Sequence, residues 1–311
     1  MSKSDSKTAL CLDVDGTLYR GGSVFIESLS YLPFVQSGHW SPTDRHVLRQ
    51  AIGLVGRYYG NAWTEKRWQI TLRIVDLLQR IGTDEIALSL LDTLREFQTQ
   101  LNSVIDPEYT FNSPSASDYD EMRISLLTTY AKAITTHHQS ELRTAINDII
   151  SRCTLIDKTT ATALEDISTS SSSLDIILIT DMPTTIAETF ASEAIEAPIQ
   201  TTVATRFETD QTERFTGEFH SINKSEMLTT LDEQHDWDRI VAAGDTVRDL
   251  RMRSIADRFI AVSGQGQINE YLQKPYVTAT GSNPEIINNS RDVYVPSEVP
   301  LGVVLRALLL K

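Results

Sequence analysis

The rhythm of apolar positions changes twice along the chain. Residues 8–14, TALCLDV, form an apolar run closed by Asp15 and Gly16. A run with both faces apolar, bounded by turn residues, predicts a strand buried inside a parallel sheet. From about Val24 to Arg152 the spacing becomes helical. VFIESLSYLPFV, TDRHVLRQAIGLVGRYYG, TEKRWQITLRIVDLLQR and TDEIALSLLDTLREFQTQ each place apolar residues three and four apart. Residues 102–119, with Pro107, Pro114 and clustered Ser, Asp and Asn, break the period and predict a loop. A further helical stretch is expected from about Asp120 to Arg152, and STSSSS at 168–173 reads as a flexible joint.

Beyond that joint, short apolar runs alternate with helical patterns. LDIILIT (174–180), RIVAAGD (239–245) and RFIAVSG (258–264) predict buried strands. TTIAETFASEAI, SEMLTTLDEQ, TVRDLRMRSIA and the final PLGVVLRALLLK predict helices, and TTVATRFETD with ERFTGEFH predicts short strands around a turn. The expected fold class is α/β: a Rossmann-like three-layer parallel-sheet core with a large all-helical cap inserted after the first strand. The core would comprise 1–20 and 172–311, the cap 21–171. No internal repeat is present.

Composition narrows the partners. Across 311 residues, 28 basic against 42 acidic side chains give 28 − 42 = −14. That balance argues against a nucleic-acid surface, which is built from Lys and Arg. It leaves room for a small phosphorylated metabolite, whose charge one lysine and a metal can meet. The two cysteines, Cys11 and Cys153, lack a CxxC partner, so neither a disulfide nor a metal cluster is expected. MSKSDSKTAL has no apolar signal-peptide core, and no run approaches the roughly 20 apolar residues that span a bilayer. The expectation is a cytoplasmic protein with no membrane contact; oligomeric state is not legible.

The candidate chemistry gathers at strand ends. Asp13 closes the first strand, and Asp15 follows in DVDGT. Ligands of open α/β sheets bind at the carboxyl ends of their strands, and carboxylates there suit a hard cation such as Mg²⁺. Asp245 ends another strand in AAGDTVRDL, with Asp249 four residues later. Thr180 and Asp181 end the LDIILIT strand, and Lys224 opens a helix.

In this order, DVDGT, ILIT, NK and GDTVRD resemble the motifs of the haloacid-dehalogenase-like superfamily. ATRFETDQTERFTGEF and the helical insertion after the first motif resemble its phosphoserine-phosphatase-like branch, with a C1-type cap. The resemblance implies a Mg²⁺-dependent phosphohydrolase working through an aspartyl-phosphate. Asp13 would be the nucleophile and Asp15 the acid and base. Thr180 would hydrogen-bond a phosphoryl oxygen, and Lys224 would neutralise Asp13 and the developing charge. Metal ligands would be Asp13, the backbone carbonyl of Asp15, and Asp245, with Asp249 acting through water or by orienting the lysine.

Two departures from the branch stand out. Asp181 replaces the small residue usual after the threonine, and Arg20, Gly21 and Gly22 stand where phosphoserine enzymes carry a glutamate. Arg20 reads equally as a residue that favours an anionic or bulkier substrate and as a plain surface residue, and the Arg57–Tyr59 cluster reads more readily as a helix interface than as a ligand contact. Trp63, Trp68 and the pair His137 and His138 read as core or surface. Two other functions fit the same residues: phosphoryl transfer to an acceptor other than water, and a protein-binding module riding on a weakly active core.

Overall fold

A computed structural model describes residues 6–20, 137–152, 154–171, 173–263, 276–279 and 290–310, with isolated positions between these segments. Eight strands form one sheet: β1 (Thr8–Leu12), β2 (Leu174–Pro183), β3 (Thr201–Thr209), β4 (Phe215–His220), β5 (Arg239–Gly244), β6 (Arg258–Val262), β7 (Val277–Thr278) and β8 (Asp292–Val295). Their spatial order is β4-β3-β2-β1-β5-β6-β8-β7. All neighbours are parallel except β3 and β4, which form an antiparallel hairpin. The chain steps outward from β1 through β2 and β3, then returns to β1's other side as β5. That reversal is the switch point at which such sheets open a crevice.

Register explains why the first strand is apolar on both faces. Leu10 lies between Ile176 and Val241, and Cys11 between Ile177 and Ala242. Leu10, Leu12, Ile176, Leu178, Val241 and Ala243 face one core. Ala9, Cys11, Ile177, Ile179, Ile240 and Ala242 face another. The first core is closed by helices α1 (Gln139–Arg152), α2 (Lys158–Ser170), α3 (Thr184–Ala194) and α5 (Leu301–Leu309), through Ile146, Leu164, Phe190 and Leu305. The second is closed by α4 (Lys224–His235), through Leu228 and Leu231, and by Met252. Helix, sheet and helix make the three layers expected.

Three local readings needed correction or refinement. TVRDLRMRSIA folds as a 3-10 helix over Asp249–Ser254 rather than an α-helix. Its buried residues are Asp249 and Met252, a spacing of three that suits three residues per turn. The start of STSSSS belongs to α2, whose N-cap Asp157 accepts from the Thr160 N–H and hydroxyl. Buried Thr160, Ala163, Leu164 and Ile167 give α2 a helical stripe. In the stretch expected to be helical from Asp120 to Arg152, the described positions 124, 127, 128, 131 and 134 are helical, the helix is interrupted between 134 and 139, and α1 runs from Gln139. Residues 137–138 instead join the hairpin: Phe215 N–H donates to the His137 carbonyl, and Gln139 N–H to that of Glu213.

The helices expected between Val24 and Gln100, the loop at 102–119, the Arg57–Tyr59 cluster, Trp63 and Trp68 lie almost wholly outside the described residues. Among the described residues, no helix is long and apolar enough to cross a membrane.

Candidate active site

The loop leaving β1 is a tight turn in which the N–H groups of Thr17, Leu18 and Tyr19 all donate to the Val14 carbonyl. It holds Asp13 against the sheet, almost fully buried. Gly16 allows this turn with φ +83°, and a Cβ there would overlap the carboxylate of Asp245. The first motif and the end of β5 therefore touch through a glycine.

Lys224, the first residue of α4, is 3% exposed, and its Nζ donates to Asp13 Oδ1 at 2.7 Å and to Asp249 Oδ1 at 2.5 Å. The other oxygen of Asp249 accepts from Asp245 N–H at 3.1 Å, Thr246 N–H at 2.9 Å and the Thr246 hydroxyl at 2.7 Å. Asp249 thus orients the lysine with one oxygen and folds its own loop with the other. Thr17 Oγ1 lies 3.5 Å from Asp245 Oδ1. Carboxylate oxygens of Asp13, Asp245 and Asp249 lie within 4.8 Å of one another.

The electrostatics follow from burial. Desolvation pushes the Asp13 carboxyl well above its ordinary range; Asp249 and Asp245 add to the rise, and Lys224 opposes it. Burial acts to lower Lys224, but Asp13, Asp249 and Asp181 outweigh it and hold the ammonium firmly charged. Three carboxylates around one ammonium leave a negative excess in a buried setting. An all-oxygen donor set with that excess fits a hard divalent cation.

Asp15 stands apart from the converging carboxylates. Its side chain is half-buried, and its Oδ1 accepts the Val24 N–H at 2.9 Å, so it faces the start of the insertion. Thr180 is buried on β2, two residues beyond Leu178, the partner of Leu12, and its hydroxyl lies 3.5 Å from Met182 N. Arg20 Nη1 donates to the Pro296 and Val299 carbonyls at 3.3 and 2.8 Å, tying its loop to the chain after β8. His137 Nδ1 contacts Glu141 Oε2 at 2.9 Å, and His138 lies against Ser140, both at the hairpin junction.

Two residues were missed by sequence reasoning. Thr246 supplies two of the donors that fix Asp249. Arg248, nearly buried between Asp245 and Asp249, places its Nε 3.2 Å from Asp181 Oδ2. The string shows only a cation between two acids at a strand end; its partners are set by the fold.

No protein-family model matches the chain, and no curated protein matches it. Solved structures do. A haloacid-dehalogenase-family hydrolase from Salmonella enterica serovar Typhi superposes with a TM-score of 0.50 at 11% identity, covering 98% of this chain and 72% of that one. A probable phosphoserine phosphatase from Vibrio cholerae gives 0.49 at 12%, covering 97% of this chain; the chain spans 65% of that protein's length. A phosphoserine phosphohydrolase-like protein from Francisella tularensis gives 0.44 at 15%, over 92% of this chain and 94% of that one. The chain has the fold of the haloacid-dehalogenase-like hydrolases.

Proposed function

We propose that this chain is a Mg²⁺-dependent phosphatase that hydrolyses a small phosphomonoester through an aspartyl-phosphate on Asp13. The observation that carries the reading is the buried cluster of Asp13, Lys224, Asp245 and Asp249 at the switch point of the sheet.

Asp13, the Asp15 carbonyl and Asp245 would hold Mg²⁺, which supplies the positive charge that lets an anionic phosphate approach an aspartate. Asp249 keeps Lys224 aimed at Asp13. An Asp13 oxygen attacks phosphorus while the bond to the ester oxygen breaks, and Asp15 gives its proton to the departing alkoxide. Asp15, now a carboxylate, takes a proton from water as that water attacks the same phosphorus. The bond to Asp13 breaks and inorganic phosphate leaves. Lys224 and the Thr180 hydroxyl serve the phosphoryl oxygens, whose charge grows in both steps. Substrate reading is assigned to the insertion, residues 21–171.

A panel of phosphomonoesters assayed with and without Mg²⁺ tests this, with Asp13→Asn alongside. The expected outcome is metal-dependent release of phosphate by the native chain and none above background by Asp13→Asn. Turnover that survives Asp13→Asn, or no metal-dependent turnover of any ester, overturns the reading.

A further inference from the structure

Three segments carry the groups of the site: β2 with Thr180, the lead into α4 with Lys224, and the loop after β5 with Asp245 and Asp249. Arg248 meets all three. It belongs to the third, its Nε lies 3.2 Å from Asp181 Oδ2, and its Nη2 donates to the Ile222 carbonyl at 3.2 Å. Asp181 directly follows Thr180, and Ile222 lies two residues before Lys224. The arginine side chain is 7% exposed and Asp181 is 27% exposed, so the pair sits largely out of water.

We infer that Arg248, anchored by Asp181, is a positioning residue that staples the three segments and thereby sets where Thr180 and Lys224 stand relative to Asp13. A planar fork can contact a carboxylate and a carbonyl on different segments at once, whereas an ammonium of similar reach acts as a single point. The staple also accounts for an acid at position 181: a small side chain there would leave the guanidinium buried without that counter-charge, an expensive arrangement. The catalytic part of the inference rests on the phosphatase reading; the structural part does not.

The experiment uses the full chain with Arg248→Met, Arg248→Lys and Asp181→Asn, and has two arms. In the first, amide hydrogen exchange is followed across 178–183, 220–226 and 244–250, with the β6–β8 region as internal reference. Faster exchange in all three segments of the Arg248 variants, with the reference unchanged, is expected. Unchanged exchange, or loss of protection throughout the chain, overturns the staple. In the second, kcat and KM are measured on a phosphomonoester that the native chain turns over. Misplacement of reacting groups by about 1 Å costs roughly 100-fold, so kcat should fall by about that factor while KM stays within roughly threefold. Arg248→Lys should not restore kcat, and the Asp181→Asn, Arg248→Met double variant should be no slower than Arg248→Met alone. Additive losses, or a change confined to KM, overturn the positioning role. Absence of turnover by the native chain overturns the phosphatase reading instead, and the exchange arm still decides the staple.

Discussion

Asp13 and Lys224 illustrate how one contact is felt differently by its two ends. The lysine gains from Asp13 and Asp249 together, while the aspartate has one cation set against its own burial and two neighbouring acids. Folding therefore favours the protonated form of Asp13 when no metal is bound. Its folded-state pKa lies above the ordinary 3.8, so this contribution to stability is complete below about pH 3.8 and is lost as pH rises through the folded-state value. Where it ionises without a metal, the buried carboxylate is a destabilising charge. Asp13→Asn should consequently make the metal-free protein more resistant to urea at pH 7 while abolishing turnover, since Lys224 keeps Asp249. A lower urea midpoint for the variant would show that the contact with Lys224 outweighs the cost of burial. Such opposition between stability and activity is common where a site is built from crowded like charges.

Helix packing raises a prediction of a different kind. Gly302, near the start of α5, donates its N–H to Thr160 Oγ1 at 2.9 Å, and a Cβ there would lie 2.6 Å from Thr160 Cα. The close approach of α2 and α5 depends on that bare position. Gly302→Val should push the helices apart and lower stability by about 1–3 kcal/mol, read as a lower denaturant midpoint with an unchanged slope; no loss would mean that the helices separate freely.

The same pair shows what was legible in the sequence. α5 was plain, because LGVVLRALL is strongly apolar at helical spacing. α2 was not, because KTTATALEDISTS has the Ser and Thr content of a loop, and its stripe is completed by a buried Thr160 bonded to its own cap and to Gly302. Strands with both faces apolar announced themselves, as β1, β2, β5 and β6 did. β7 has two residues and β8 four, too few for a period to show. At the site, Asp13, Lys224, Asp245 and Asp249 were readable as motif positions at strand and helix ends. Arg248 was hidden because its partners, Asp181 and Ile222, lie far away in sequence, and only the folded sheet brings them together.

For the whole molecule, metal and stability should be linked. An ion that binds only the folded chain stabilises it by about 2.7 kcal/mol at a hundredfold excess over its dissociation constant. For a chain of this size that corresponds to a rise in the thermal midpoint of roughly 5 °C. Saturating Mg²⁺ should produce such a rise in the native chain, and Asp245→Asn should largely remove it. An equal rise in both proteins would place the binding elsewhere. The sheet order has a further consequence for how the molecule is made. β1 is hydrogen-bonded on one side to residues 174–178 and on the other to 239–243. A ribosome therefore releases the strand that leads to Asp13 roughly 230 residues before its second neighbour is complete. At about 5–20 residues per second this is a wait of roughly ten to fifty seconds. Until β2 is made TALCL is an unpaired apolar segment on a growing polypeptide, and until β5 is made it keeps one open edge, accessible to holdase chaperones and to other nascent chains. The candidate nucleophile is synthesised long before the second strand that flanks it, so competence should not arrive before β5 closes against β1.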